Sequence, residues 1–201
     1  MQTFLLRPFL PFLLFLVLLT ACSQREQLTL RGQNIICFGD SLTFGTGAPR
    51  DKSYPAQLSE AIGWPVINAG IPGDTTARAL QRLDRDVLSH DPRMVLITLG
   101  GNDLKNGVDK KTAFKNLYAI VTAIQSEGAL VVIGGIKLLF WDRGYDEEYE
   151  ELAEKTGAIL IPDILSGLMG NESLMSDTIH PNAAGYAIMA NRFHKAIEPY
   201  L

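Results

Sequence analysis

RMVLITLGGND, residues 93–103, is the stretch of sequence that decides the fold. Arg93–Leu99 is almost continuously apolar, with no alternation between apolar and polar positions. A strand that is covered on both faces has this pattern, whereas a strand with one solvent-exposed face alternates between apolar and polar residues. The stretch therefore predicts a buried strand over Arg93–Leu99, followed by a glycine-rich turn that carries Asn102 and Asp103.

Further short apolar runs repeat this pattern along the chain. They predict strands over Asn34–Phe38, Pro65–Asn68, Ala129–Ile133 and Ala158–Ile161. Helical signals between them predict helices over Tyr54–Ile62, Ala77–Ser89, Asp109–Glu127 and Asp146–Thr156, with a last helix from Pro181 or Asn182 to near Glu198. Strands that alternate with helices form right-handed βαβ units and hence a parallel sheet. We expect an α/β fold, a three-layer α/β/α sandwich with a parallel sheet of about five strands.

The composition fits one globular domain. The chain has 201 residues, and 47% of them are hydrophobic, which is enough for one core. The formal net charge is −4 and 20% of the residues are charged, so no basic surface argues for nucleic acid. No internal repeat or linker divides residues 34–201, which we expect to form a single domain.

Residues 1–21 differ in composition from the rest of the chain. Arg7 is their only charged residue, and Phe9–Leu19 is an apolar run. A helix that spans a bilayer needs about 20 apolar residues. This shorter run therefore predicts the apolar region of a secretory signal peptide.

The end of this segment, Leu19-Thr20-Ala21-Cys22, resembles the lipobox of bacterial lipoproteins. The resemblance implies cleavage before Cys22, acylation of that cysteine and a polar tether over residues 22–33. Ser23 is similar to the residue that sorts such proteins to the outer membrane, so we expect an exported chain that is lipid-anchored to that membrane and faces the periplasm. The alternative is an ordinary signal peptide with a chance cysteine near its end.

Polar motifs follow the predicted strands. In an open parallel sheet, ligands bind beyond the carboxyl ends of the strands. The motifs at this predicted edge are Gly39-Asp40-Ser41-Leu42, Asn68–Thr75, Gly100–Asp103 and, before the last helix, Ser176–Asn182. We therefore expect the functional site at this edge.

Three residues in these motifs have the chemistry of a catalytic triad. The hydroxyl of Ser41 is a weak nucleophile unless a base removes its proton, and His180 is the type of side chain that titrates near neutral pH. Asp177 can reach Nδ1 of the histidine and leave Nε2 facing the serine. Pro181 suits the first position of the last helix, because its missing N–H needs no partner there.

An attacked ester also needs hydrogen-bond donors for the oxyanion that develops. The predicted donors are the backbone N–H groups of Ser41 and Gly73 and the side-chain amide of Asn102. Each residue has a simpler alternative. Ser41 is then a turn residue, Gly73 serves a Pro-Gly turn, and Asn102 supports a left-handed turn.

The acids in these motifs have structural alternatives as well. Asp177 can act only as a cap at the entry to the helix, with His180 on the surface. We interpret Asp40, Asp74 and Asp103 as loop organisers that bond nearby backbone, which is the common use of aspartate in turns.

Together the four motifs resemble those of the SGNH, or GDSL-type, hydrolases, and they occur in that family's order. Within the family, Asn68–Thr76 is most similar to the small arylesterase, thioesterase and lysophospholipase branch. The resemblance implies a flavodoxin-like fold, a triad of Ser41, His180 and Asp177, and no metal or other cofactor. No G-x-S-x-G or G-x-G-x-x-G motif occurs, so the sequence supports neither an α/β-hydrolase elbow nor a dinucleotide site.

Five side chains near these motifs are predicted to contact substrate: Leu42, Phe44, Leu104, Phe140 and Trp141. Phe140 and Trp141 lie in an apolar loop after the fourth strand, and apolar or aromatic side chains line most pockets. The alternative for that loop is packing beneath the acidic helix. Phe44 departs from the family's usual neighbours of the serine, and we expect it to narrow the pocket.

These observations predict an enzyme, a serine esterase that hydrolyses small esters, thioesters or lysolipids. One alternative keeps the chemistry and changes the substrate to acetyl groups on the cell wall or other polysaccharides. The other is a non-catalytic lipoprotein that binds lipid or glycan. Besides substrate, the predicted partner is the membrane, through the lipid on Cys22.

Overall fold

A parallel sheet lies at the centre of the computed structural model, which describes residues 30–137 and 144–201. Its strands are β1 (Asn34–Gly39), β2 (Val66–Gly70), β3 (Pro92–Thr98), β4 (Leu130–Gly134) and β5 (Ile159–Ile161). They lie in the order β2-β1-β3-β4-β5, and every neighbouring pair is parallel. The predicted parallel sheet is confirmed.

Helices connect the strands and flank the sheet. They are α1 (Ser41–Phe44), α2 (Tyr54–Ile62), α3 (Thr76–Asp86), α4 (Gly101–Lys105), α5 (Lys110–Ser126), α6 (Tyr145–Thr156) and α7 (Ala183–Ile197). Short 3₁₀ turns occur at Arg50–Lys52, Leu88–His90 and Glu198–Tyr200. Over the described part of the chain, no helix combines the length and the apolar character that crossing a bilayer requires.

Both faces of the sheet are covered. Successive residues of a strand point to opposite faces, and β1 shows this clearly. Ile36 and Phe38 pack on the side of α3, α5 and α6, whereas Ile35 and Cys37 pack on the side of α2 and α7. Each face has its own core of buried side chains, so the three-layer α/β/α prediction is confirmed. Burial on both faces is the physical reason for the continuous apolar runs.

Side chains cap the starts of two long helices. Asp109 caps α5 and Thr75 caps α3, each by accepting a hydrogen bond from a backbone N–H of the first turn. Ser53 precedes α2 but makes no side-chain cap, and its hydroxyl donates to the carbonyl of Arg50 at 2.9 Å.

The start of α7 differs from the prediction for Pro181. Asn182 is the N-cap, and its side-chain oxygen accepts the backbone N–H groups of Ala184 and Gly185 at 2.9 and 3.2 Å. Pro181 lies before the helix, in an isolated antiparallel bridge with Met175. The placement of Pro181 at the first helical position was wrong, because Asn182 at the N-cap satisfies free N–H groups and the helix begins two residues after Pro181, at Ala183.

The order in which the chain adds strands to the sheet reverses between β1 and β3. From β1 the chain crosses to β2 on one side and returns to β3 on the other. In sheets of this order, ligands bind at such a switch point. Ser41 begins α1 just beyond β1, and Asn102 lies in α4 just beyond β3. Both helices were absent from the sequence prediction, because 4 and 5 residues are too few to show a helical period.

Candidate active site

Ser41 stands directly beyond the carboxyl end of the central strand β1. Asp40 caps α1 by accepting the backbone N–H of Leu42 on Oδ1 at 3.0 Å. Gly45 ends the helix in the left-handed conformation, with φ of 95°. Within residues 30–137 and 144–201, the backbone N–H of Ser41 has no hydrogen-bond partner. The hydroxyl and this N–H are therefore presented together at the sheet edge.

A tight turn before α7 carries the predicted acid and base. Oδ1 of Asp177 accepts the backbone N–H groups of Ile179 and His180 at 2.8 and 2.7 Å. Its Oδ2 lies 2.7 Å from Nδ1 of His180, and Nε2 of the same ring lies 3.0 Å from Oγ of Ser41. Partial desolvation acts to raise the pKa of Asp177, but the hydrogen bonds from His180 and the two N–H groups outweigh it and hold that pKa below its ordinary value. The structure thus brings all three predicted triad residues into one hydrogen-bonded chain.

A glycine allows the serine segment and the histidine turn to pack closely. Gly47 has φ of 96°, and a Cβ there would lie 2.0 Å from Oγ of Ser176 and 2.8 Å from the carbonyl oxygen of Pro181. The hydroxyl of Tyr186 in α7 also donates to the carbonyl of Thr46 at 2.8 Å. These contacts hold the two segments together independently of the triad.

Gly73 occupies a turn between β2 and α3. Its φ is 82°, and a Cβ there would meet no heavy atom within 4 Å. The backbone N–H of Asp74 closes the turn on the carbonyl of Ile71 at 3.2 Å. In the described part of the chain, the N–H of Gly73 itself has no partner. The turn therefore requires glycine for its backbone conformation, and it leaves that N–H free for a ligand.

The side-chain amide of Asn102 is already engaged. Its Nδ2 donates to Oδ2 of Asp40 at 3.1 Å and to the carbonyl of Asp74 at 2.9 Å. Both amide hydrogens have acceptors, so a ligand must replace one of them to gain this donor. In the Gly100-Gly101-Asn102 turn, Gly100 holds the left-handed conformation, with φ of 117°, and Asn102 lies in helix α4.

Asp40 is a buried carboxyl group beside the serine, with 3% of its surface exposed. Burial raises the pKa of Asp40 to about 7, although its hydrogen bond from Leu42 acts in the opposite direction. The prediction that Asp40 organises its loop is confirmed by this bond to backbone.

The other two loop acids also act in the structure of the site. Asp103 accepts the backbone N–H of Thr76 at 2.9 Å and its hydroxyl at 2.7 Å, as expected for a loop organiser. Asp74 instead pairs through its side chain with the guanidinium of Arg82 at 2.6 Å. Within the described residues, no group of three or more His, Cys, Asp or Glu side chains is arranged to hold a metal ion.

A cavity of about 1000 Å³ opens beside Ser41 and His180. Its apolar lining comes mostly from the chain between β5 and α7 and consists of Leu42, Ile136, Leu165, Met169, Met175 and Ile179. Of these six residues, only Leu42 was predicted from the sequence to contact substrate. The two methionines were the available signal, because flexible Met side chains are common at adaptable binding surfaces.

The other predicted substrate contacts lie elsewhere. Leu104 is only 3% exposed and packs in the core on the α3–α5 side, so it does not line the cavity. Phe44 is absent from the cavity lining, and the guanidinium of Arg50 lies 5.5 Å from its ring centroid. The prediction for Leu104 disagrees with the structure, because its side chain is buried in the core, and Phe44 does not line this cavity. The predictions for Phe140, Trp141 and Cys22 lie outside the described residues.

Comparison with known proteins places this chain and its fold among acyl hydrolases. The model of the GDSL-like Lipase/Acylhydrolase family matches residues 37–188. An arylesterase of Vibrio mimicus is 35% identical over 181 residues, which cover 84% of this chain and 88% of the relative. Thioesterase 1/protease 1/lysophospholipase L1 of Escherichia coli K12 is 30% identical over 200 residues, which cover 94% of this chain and 92% of the relative. The crystal structure of TesA superposes with a TM-score of 0.79 at 29% identity, covering 84% of this chain and all of the other.

The three-layer α/β/α sandwich, with a serine and a histidine in contact at the carboxyl edge of its sheet, and the match to this family define the class as an α/β acyl hydrolase. The chain belongs to the GDSL-like lipase/acylhydrolase family, as its four motifs predict. It is accordingly an enzyme that hydrolyses ester bonds.

Proposed function

We propose that this esterase uses Ser41 as its nucleophile, His180 as its general base and Asp177 as the group that orients the base. The observation that carries the proposal is the continuous chain Asp177 Oδ2–His180 Nδ1 and His180 Nε2–Ser41 Oγ, with distances of 2.7 and 3.0 Å. Because Asp177 accepts the proton on Nδ1, Nε2 is left unprotonated and faces the hydroxyl.

In the proposed reaction, Oγ of Ser41 attacks the carbonyl carbon of the ester while its proton passes to Nε2 of His180. The tetrahedral intermediate collapses when the imidazolium donates that proton to the leaving alcohol or thiol, and an acyl-serine remains. Water then attacks the acyl-serine with His180 again taking the proton. The acid is released and the serine hydroxyl is restored.

Free backbone donors support an oxyanion hole at this site. The N–H groups of Ser41 and Gly73 have no partner within the described residues, and donors of this kind stabilise the developing oxyanion. Asn102 joins them by exchanging its hydrogen bond to Asp40 for one to the oxyanion. Since the carbonyl of Asp74 keeps the other amide hydrogen, Asn102 stays oriented during the exchange.

The proposed substrates are small esters, thioesters and lysolipids with an apolar acyl group. The apolar lining of the cavity favours such a group over a sugar. The names of the relatives in Vibrio mimicus and Escherichia coli support ester and thioester substrates. Acetylated polysaccharide is the rival substrate, and the cavity lining supplies no aromatic platform for a sugar ring in the described residues.

The test is a substrate panel on purified protein and its Ser41→Ala variant. The panel contains p-nitrophenyl esters of increasing chain length, an acyl thioester, a lysophospholipid and acetylated xylan. We expect apolar acyl substrates to be hydrolysed by the wild type and kcat to fall by about 10⁴-fold or more in the variant. Full activity in the variant would reject Ser41 as nucleophile, and preference for acetylated xylan would reject the substrate class.

We also propose that the protein is exported and anchored to a membrane by lipid on Cys22. The support comes from the sequence Leu19-Thr20-Ala21-Cys22 alone, because the described structure does not include these residues. Cells that express the full chain are fed an alkyne fatty acid, and the protein is tested for incorporated label. Label that disappears in the Cys22→Ser variant is the expected result. An unlabelled wild type would contradict the anchor.

A further inference from the structure

Arg82 of α3 is a buried arginine whose guanidinium makes four hydrogen bonds. It is 7% exposed. Its Nε donates to Oδ2 of Asp74 at 2.6 Å, and its terminal nitrogens donate to the carbonyls of Ala69 and Gly39 at 2.9 and 2.8 Å and to Oδ2 of Asp86 at 3.0 Å. Three of these acceptors lie at the carboxyl edge of the sheet, and only Asp86 belongs to the helix of Arg82 itself. The planar guanidinium carries several N–H donors in fixed directions, so it can link separate segments in a way that the compact ammonium group of a lysine cannot.

Two of these three acceptors, Gly39 and Asp74, adjoin groups of the active site. Gly39 is the last residue of β1, immediately before Asp40 and Ser41. Its carbonyl also accepts the backbone N–H of Ile71 at 3.0 Å, which ties the end of β1 to the turn that contains Gly73. The carbonyl oxygen of Gly39 therefore bonds both to the guanidinium and to the Gly73 turn, and it connects that turn to the segment that carries Ser41.

Asp74 extends this connection to the third segment. Its carboxylate bonds to Arg82, while its backbone carbonyl accepts Nδ2 of Asn102 at 2.9 Å. The second hydrogen of that amide goes to Asp40, which precedes the serine. A closed network thus runs from Arg82 through Asp74 and Asn102 back to the nucleophile segment.

The ring of Phe38 fixes the guanidinium from the other side. The Cζ atom of Arg82 lies 4.5 Å from the ring centroid, a cation–π distance. Four hydrogen bonds and this cation–π contact together constrain the position of the guanidinium. Arg85 provides a contrast on the same helix, because it also bonds to Asp86 but is 72% exposed.

We propose that Arg82 is a positioning residue for ester hydrolysis: its guanidinium fixes the oxyanion donors of Gly73 and Asn102 relative to Ser41. The inference rests on the proposed function, since it assumes that these groups serve the reaction. Donors of an oxyanion hole act only when they are held at the place where charge develops. Substitution of Arg82 should therefore lower kcat more than it raises KM.

The test compares Arg82→Lys with Arg85→Gln on a p-nitrophenyl ester. Active sites are counted by stoichiometric labelling with a fluorophosphonate, so that kcat refers to folded, reactive protein and is not altered by partial unfolding. We expect Arg82→Lys to lower kcat per site by about 10-fold to 10³-fold with little change in KM. A lysine ammonium cannot reproduce the planar set of N–H donors with which the guanidinium bonds to several acceptors at once. Arg85→Gln should match the wild type.

A kcat per site in Arg82→Lys equal to that of the wild type, even with a lower melting temperature, would overturn the inference, and so would an effect on KM alone. If Arg82→Lys does not fold, Asp74→Asn replaces it. That variant weakens the same ion pair while leaving the backbone carbonyl for Asn102, and it must show the same fall in kcat per site. Failure of the proposed function is distinguishable, because Ser41→Ala would then keep its activity and its label.

Discussion

Nε2 of His180 lies 3.0 Å from Oγ of Ser41, although the two residues are 139 positions apart in the chain. Ser41 follows the central strand β1, and His180 lies in the turn that enters α7. The parallel sheet places the first group at its carboxyl edge, and the packing of α7 against α2 and β4 returns the second to the same place. The site therefore depends on long-range packing as well as on its own hydrogen bonds.

Replacement of Asp177 by asparagine should preserve the turn but reverse the histidine tautomer. The asparagine oxygen can still accept the backbone N–H groups of Ile179 and His180. Its NH₂ group, however, would donate to Nδ1 and leave Nε2 protonated, so His180 could no longer accept the serine proton. We expect kcat to fall by about 10²-fold to 10⁴-fold, the lower end reflecting the partial exposure of Asp177. Steady-state assays of wild type and Asp177→Asn with a p-nitrophenyl ester measure this fall in kcat.

The control for that variant is Asp51→Asn, at a carboxylate that is 76% exposed in the 3₁₀ turn before α2. It should retain wild-type kinetics. Equal kcat values for wild type and Asp177→Asn would show that Asp177 does not orient the base.

An alanine at position 47 should separate the serine from the histidine turn. The new Cβ would collide with Ser176 and with the carbonyl of Pro181. A misplacement of a catalytic group by about 1 Å can lower the rate by about 10²-fold, so we expect kcat/KM of Gly47→Ala to fall by about 10²-fold. Gly63→Ala is the matched control. Gly63 also has positive φ, 67°, but a Cβ there meets nothing within 4 Å.

Both alanine variants carry the cost of a left-handed backbone, about 1–2 kcal/mol in the free energy of unfolding. Only Gly47→Ala should lose activity, as measured on protein that urea titration shows to be folded. Similar activity in the two variants would mean that the contact at Gly47 does not position the turn.

Asp40 makes the stability of the fold depend on pH. Its pKa rises from 3.8 in an exposed carboxyl group to about 7 in the folded state because of burial. The folded protein therefore binds more protons than the unfolded chain between these values, and the free energy of unfolding should fall as pH rises through that window, by about 1.4 kcal/mol for each pH unit. Above the folded pKa this contribution is fully lost.

Urea unfolding of the wild type and Asp40→Asn at several pH values measures this contribution. The asparagine does not titrate, so the difference between the two free energies of unfolding should decrease with rising pH and then become constant. Asp51→Asn should give a curve parallel to that of the wild type. A constant difference between wild type and Asp40→Asn would show that Asp40 does not titrate in this range.

Ile179 should contribute to the recognition of long acyl chains. Its side chain lines the cavity and is 37% exposed there. Truncation to alanine removes apolar contact worth about 1 kcal/mol, so KM for a long-chain p-nitrophenyl ester should rise about fivefold while KM for the acetate stays constant. Trp64→Ala, at an apolar side chain of 38% exposure away from the cavity, is the control. An equal rise for both chain lengths would contradict a role in acyl binding.

Much of the fold was predictable because burial on both faces leaves a clear pattern. The continuous apolar run of β3 and its repeats identified every strand of the described sheet. The polar motifs were predictable for a related reason, since a parallel sheet brings the residues after its strands to one edge. Ser41, Asp177 and His180 could be connected because each motif lies at such an edge.

What the sequence could not show are the side-chain contacts between motifs. Nothing near Arg82 in the sequence indicates that it bonds to Gly39, because that contact forms only when α3 packs on the sheet. The two hydrogen bonds of Asn102 to neighbouring loops are hidden for the same reason. Leu104 was misplaced because the short helix α4, which orients it toward the core, has no detectable period.

The most direct test of the central claim is to locate the covalent adduct of a fluorophosphonate. Purified wild type and Ser41→Ala are treated with the reagent, and peptide mass spectrometry identifies the modified residue. We predict one adduct per chain, on Oγ of Ser41, with no adduct in the variant and a kcat at least about 10⁴-fold lower. An adduct on another serine, or an unmodified Ser41 in protein that hydrolyses esters, would contradict the account.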